Sequence, residues 1–258
     1  MALPEKDVAP SSEACEAAVN DVVPAQSRTT AATSSDQQTL FSRVSDSYRA
    51  DPGVPEAELP VGVGPWEGPW PSDPRYDPEL LALGDRRNVV DRYRYWRREA
   101  IVEDLDRFRH PFHVAIENWQ HDLNIGTVVR TANAFLAREV HIVGRRRWNR
   151  RGAMVTDRYQ HIRYHDDVAG LLTWARSEQL PVIGIDNLPG AVPLETVELP
   201  RECVLLFGQE GPGLSDGARA GLDLVCSIAQ FGSTRSINAG VASGIAMHAW
   251  IRRWADPR

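Results

Sequence analysis

The chain predicts an α/β fold, a mainly parallel sheet with helices on both faces. Two observations carry this prediction. Short runs rich in Val, Ile and Leu alternate with helix-like segments from about Pro111 onward. Those runs are mostly apolar, as in strands buried on both faces. A third observation concerns a ligand rather than the sheet. One run leads straight into the Gly-rich turn GQEGPG (208–213), where glycines permit a tight backbone and close approach.

The elements follow in order. Residues 1 to about 75 predict an acidic, Pro/Gly/Ser-rich, disordered extension, poor in large apolar groups until Trp66 and Trp70. A basic helical segment over 76–110 is expected next, with Val90, Tyr93, Arg97, Ile101, Leu105 and Phe108 near helical spacing and Pro111 ending it. FHVAIEN, EVHIVG, LPVIGID, ECVLLFG and LVCSIAQ then read as strands. Helices are expected at 125–137, 168–178, 215–221 and 237–254, so that 111–258 makes one domain. No internal repeat is evident.

The net charge of −6 argues against nucleic acid only until it is divided. Residues 1–75 carry 5 Lys/Arg against 12 Asp/Glu, whereas residues 76–258 carry 24 against 23. Nearly all the cations are Arg, which suits phosphate recognition. Cys15, Cys203 and Cys226 show no pairing pattern, as expected of free thiols in a reducing cytoplasm. No apolar stretch is long enough for a membrane span. The first 20 residues lack a basic start followed by an apolar core, so no secretory signal is expected.

Three segments carry the chemistry: LNIGTVVRTANAF (123–135), LLFGQEGPGLS (205–215) and GSTRSINAGVASGIA (232–246). Taken singly, each is ordinary. The first is a helix start with Asn124 as its cap and Arg130 within two turns of it. The second is a strand-to-helix turn, without the G-x-G-x-x-G spacing of a dinucleotide site. The third is a loop and a capped helix whose small-residue face allows close packing. Their order and spacing resemble the three motifs of the SpoU/TrmH-type RNA ribose 2′-O-methyltransferases, over roughly Pro111 to Trp254.

That resemblance implies a deep C-terminal trefoil knot (SPOUT fold), S-adenosylmethionine as cofactor, a structured tRNA or rRNA as substrate, and a homodimer. It places Asn124, Arg130, Glu210, Ser236 and Asn238 at the catalytic centre. Leu206, Phe207, Gly208, Gln209, Gly211, Gly213, Ile228, Gln230, Ser236, Ile237 and Ala239 would hold the cofactor. A guanidinium is a poor general base; Arg130 would stabilise a developing alkoxide or act through a phosphate. Ala229 and Gln230 depart from the family pattern, which carries Pro and an apolar residue there.

Arg145, Arg146, Arg147, Arg150 and Arg151, with Trp148 interleaved, form the densest basic run and are the expected RNA contacts, Trp148 by stacking on a base. Arg86, Arg87, Arg92, Arg94, Arg97 and Arg98 with Tyr93, Tyr95 and Trp96 would extend that surface, diluted by nearby acids. No metal is expected, since no carboxylate or cysteine accompanies the histidines at ligand spacing. Two other readings stay open: a non-catalytic RNA-binding protein on this fold, and a knotted methyltransferase acting on a base nitrogen.

Overall fold

The computed structural model describes residues 62–118 and 124–256; Cys15 and the expected extension before residue 62 lie outside them. The described residues hold seven strands: β1 Phe112–Asn118, β2 Val140–Gly144, β3 Ile162–His165, β4 Val182–Ile185, β5 Val192–Pro193, β6 Cys203–Phe207 and β7 Leu224–Ser227. They pair in the order β3-β2-β1-β6-β4-β7-β5, and every pairing is parallel. Parallel strands need crossover connections, and the α-helical ones cover both faces of this sheet.

The central strand β6 shows the consequence. Cys203, Leu205 and Phe207 point into one core cluster, Val204 and Leu206 into the other, and all five are buried. On the first face pack α3 (Asn124–Ala134) and α6 (Ala239–Trp254), through Ile125, Val128, Val129, Met247 and Trp250. On the second pack α4 (Val168–Ser177) and α5 (Asp216–Arg219), through Leu171, Leu172 and Ala218. The α/β architecture and parallel sheet are those expected. β3 and β5 were not foreseen: β3 is an edge strand buried fully only at His165, and β5 has two residues.

Before β1 the chain departs from the expected continuous helix. α1 (Pro78–Leu83) and α2 (Arg98–Asp106) are separate, because the intervening chain winds around Asp85. That carboxylate is fully buried and accepts from the Arg87 N–H, Nε and Nη2 and from the Tyr95 N–H. Burial pushes its acidity one way, but these donors outweigh it and hold the pKa below the ordinary carboxylate value. Tyr95 then sits at φ 63°, outside helical geometry.

Residues 62–75, placed by composition in the loose extension, are tied to the body. Val63 bridges Asp85, and Trp66 packs edge-on against Tyr76 and Tyr95. Tyr93, Trp96 and Ile101 in turn close over Tyr159.

Candidate functional site

The carboxyl ends of β4, β6 and β7 open onto a cleft of about 250 Å³. Open parallel sheets place their ligands at this edge. Phe207, Gly208, Gln209, Gly211, Gly213, Ile228, Gln230, Ser236, Ile237 and Ala239, all expected at a cofactor, line it; Leu206 does not, its side chain lying in the core of the opposite face.

The Gly-rich turn is shaped by contact. A Cβ on Gly208 would come within 2.1 Å of the Gly213 carbonyl carbon. Gln209 and Gly213 exchange both backbone hydrogen bonds, at 3.2 and 3.0 Å. Two carboxylates missed in the sequence brace the turn. Asp186 at the end of β4 accepts from the Leu214 N–H at 2.9 Å and the Asn187 N–H at 2.7 Å. Glu117, fully buried in β1, accepts from the Ser215 N–H at 2.8 Å. An acid closing an otherwise apolar strand run was the available signal.

Beside this cleft, three residues from three distant segments meet. Asn238 caps α6: its Oδ1 accepts from the Val241 N–H at 3.2 Å. Its amide nitrogen is thereby turned outward, donating to Asn124 Oδ1 at 2.9 Å and to Glu210 Oε1 at 3.4 Å. With its oxygen occupied, Asn124 donates through Nδ2 to Glu210 Oε2 at 2.5 Å. The helix backbone thus dictates both amide orientations, and the carboxylate, which can only accept, takes a bond from each amide. Asn124 is the first residue of α3 rather than its cap, and Gly126 lets that helix lie on the 150–153 turn: a Cβ there would meet the Ala153 nitrogen at 2.7 Å.

Ser236 lines the cleft but makes no bond to this trio, and Arg130 is exposed on α3 with no hydrogen bond or ion pair among the described residues.

The basic run hangs from the same sheet edge. Asn118 Nδ2, at the end of β1, donates to the carbonyls of Arg145 (2.5 Å) and Arg147 (2.9 Å). Arg145, Arg146, Arg147, Arg150 and Arg151 are exposed. Arg146 lies 3.7 Å from Asp166 and Arg150 lies 3.5 Å from Asp157. The expected stacking by Trp148 is corrected: its ring is 7% exposed and belongs to the core cluster beneath α3. Basic neighbours mark a loop as surface, yet they say nothing of an aromatic that turns inward.

The second basic cluster is only partly engaged within the fold. Arg87 pairs with Asp85, Arg94 and Arg97 bond backbone carbonyls, and Tyr93 and Trp96 are buried, whereas Arg86, Arg92 and Arg98 are exposed, the last two beside Asp104 and Glu99.

The histidines do gain a carboxylate neighbour, which spacing along the chain did not reveal. His113, Glu139 and His141 offer ligand atoms within 4.8 Å of one another. These atoms are otherwise engaged: His113 Nδ1 and His141 Nε2 share a bond of 3.0 Å, His141 Nδ1 and His165 Nε2 one of 2.9 Å, and Arg163 Nε donates to Glu139 at 3.1 Å. The result is a neutral ladder across β1, β2 and β3. Burial holds His113 down at about 4 and His141 at about 2, helped by neighbouring cations.

Residues 111–248 match the family model described as the SpoU rRNA Methylase family. The chain belongs to the SpoU rRNA methylase family. A relative from Mycobacterium bovis, named an uncharacterized tRNA/rRNA methyltransferase, is 33% identical over 152 residues, covering 56% of this chain and 46% of its own. The chain spans about half the length of the curated relatives it matches. Among solved structures, the AdoMet-bound rRNA methyltransferase from Sinorhizobium meliloti is 25% identical with a TM-score of 0.51, over 59% of this chain and 61% of its own. The TrmH/SpoU tRNA modifying enzyme of A. aeolicus shares the fold at a TM-score of 0.54 and 20% identity, over 60% and 81% of the two chains. Among the described residues no helix is long and apolar enough to cross a membrane.

Proposed function

We propose that this protein transfers a methyl group from S-adenosylmethionine to a ribose 2′-hydroxyl of structured tRNA or rRNA. The observation that carries the reading is the bonded cluster Asn124–Glu210–Asn238 at the rim of the Gly-rich cleft. Family membership and the Sinorhizobium meliloti likeness support it.

The cleft fits such a cofactor on its own terms. Gly208 lets the turn close on the Gly213 backbone, where a Cβ would clash, and Gly208, Gly211 and Gly213 line the cleft without side chains. Gln230 Oε1, on a residue lining the cleft, is buried with no hydrogen-bond partner among the described residues, and the cofactor's amino and hydroxyl groups are donors suited to it. Gln230 therefore gives the departure from the family pattern a use. Bound S-adenosylmethionine would supply an electrophilic methyl group whose leaving thioether is neutral, which requires no metal.

The chain's own residues supply position and charge. Asn124 and Asn238, locked by the α6 backbone, hold the Glu210 carboxylate facing the nucleotide. The Arg130 guanidinium stabilises negative charge developing on the 2′-oxygen or on the adjoining phosphate. Arg145, Arg146, Arg147, Arg150 and Arg151 contact the RNA backbone.

Two structural expectations belong to the same reading. The trefoil knot is supported by Asn187 Nδ2, which donates to the Arg235 carbonyl at 2.8 Å and so lays the loop after β7 against the loop after β4. A homodimer is supported by Val241 and Ile245, apolar residues of α6 that are 54% and 40% exposed.

The test is Arg130→Ala assayed with labelled S-adenosylmethionine and bulk tRNA and rRNA. Turnover should fall by about a hundredfold or more, while calorimetric affinity for the cofactor stays within about twofold of wild type. Alkaline hydrolysis of the wild-type product should leave the methylated dinucleotide intact. A fully alkali-labile product would instead indicate methylation of a base.

A further inference from the structure

Residues 229–236 join β7 to α6 and carry Phe231, whose side chain is 98% exposed, the highest value of any large apolar group among the described residues. The loop is held at both ends. The Ala229 N–H donates to Glu195 Oε1 at 3.1 Å, and the Arg235 carbonyl accepts from Asn187 Nδ2. Gln230 and Ser236, on either side of Phe231, line the cleft. The ring is thus displayed to solvent by an anchored loop at the rim of the site.

Its surroundings decide what such a ring would meet. Gly232, Ser233, Thr234 and Arg235, which follow it, are all exposed and none is a large apolar residue. The core of a protein interface needs a contiguous apolar patch, and Phe231 stands alone in its loop. A lone aromatic face with a guanidinium and hydroxyls on the same loop instead matches an unpaired nucleotide, which offers a base to stack on and a phosphate to contact. Trp148, the other candidate, is buried in the core.

We infer that Phe231 stacks on an unpaired base of the RNA substrate, at the target nucleotide or its neighbour, and helps determine which nucleotide enters the site. This rests on the RNA substrate proposed above. The ring is a positioning group and takes no part in the chemistry.

The experiment compares wild type with Phe231→Ala, Phe231→Leu and Phe231→Trp, using bulk tRNA and rRNA as probe. Phe231→Ala should raise the KM for RNA about tenfold. Cofactor affinity by calorimetry should not change, nor should the salt slope of RNA binding, because stacking releases no counterions. Phe231→Trp should restore the KM, and Phe231→Leu, apolar but without a π face, should not. An unchanged KM in Phe231→Ala, or equal rescue by Leu, overturns the inference. So does a change in sedimentation mass, which would make Phe231 a contact between copies of the chain. A wild-type protein that binds the cofactor but no RNA removes the substrate reading itself, a result distinguishable because no variant is needed to see it.

Discussion

Asn238 spends its oxygen on the backbone of α6, and that single commitment orients the amides around Glu210. The arrangement makes a sharp prediction for Glu210→Gln. A neutral amide there keeps the size but offers a nitrogen where two amide donors already point, so one bond becomes a donor–donor clash. Turnover should fall on the order of tenfold or more, at about 1–3 kcal/mol for the lost charged acceptor. Because Glu210 is exposed, the melting temperature should move little. Initial rates and thermal melts of the same preparation separate the two effects, and equal rates would mean the carboxylate is dispensable.

At this scale the candidate site was partly legible in the sequence. Asn124, Glu210 and Asn238 were singled out from three motifs, yet no spacing announces that they bond one another across 114 residues. Glu117 and Asp186 were passed over because each sits in a strand run whose apolar residues dominate the pattern. Trp148 was misassigned because composition shows which residues are neighbours in the chain and not which way a ring turns.

Among elements, the strands β1, β2 and β3 carry a chemistry that no local pattern shows. His113, His141 and His165 come from segments 28 and 24 residues apart and meet only because parallel pairing aligns them under Trp174 of α4. Burial is the main reason each is held below the usual histidine value, with Arg163 facing all three, Arg138 facing His113, and Glu139, Asp166 and Asp167 opposing the shift at His165. The sign of the consequence follows from linkage. In the unfolded chain these rings take up protons near pH 6.5, whereas in the fold His113 resists down to about 4 and His141 to about 2. The unfolded state therefore binds more protons as pH falls, and stability present above pH 6.5 is lost progressively from about 6.5 down to about 4 for His113 and about 2 for His141.

Thermal melts over that interval should show a falling melting temperature, and His113→Asn with His141→Asn should flatten the slope even if both lower stability at pH 7.5. An unaltered slope would place the acid sensitivity elsewhere. The strands themselves were legible where apolar residues dominate the run, as in β1, β2, β4, β6 and β7. β3, half solvated, offers no such run. The expected long helix before β1 failed because the buried Asp85 organises its surroundings through bonds that periodicity does not register.

For the whole molecule, the family match begins at residue 111, but the packed body begins earlier. Tyr159, within the matched region, is closed over by Tyr93, Trp96 and Ile101. Arg109 donates to the Tyr159 carbonyl at 2.8 Å and to Gln160 Oε1 at 2.8 Å, and His161 meets Asp106 at 2.8 Å. Residues 62–109 are therefore integrated with the sheet, and their unfolding should be coupled to that of the sheet. Trp96 is the ring to test: it is 9% exposed, with the Arg75 guanidinium 4.3 Å from its centroid and the Arg87 side chain on its carbonyl at 2.8 Å. Trp96→Ala should cost about 3 kcal/mol as a buried aromatic truncation. At about 2–4 °C per kcal/mol for a body of this size, the melting temperature should drop by roughly 6–12 °C. If the coupling holds, calorimetry shows the body melting in one transition that moves as a unit. A new low-temperature transition, with the main one left in place, would mean that residues 62–109 fold and unfold on their own and that the rest of the body does not depend on them.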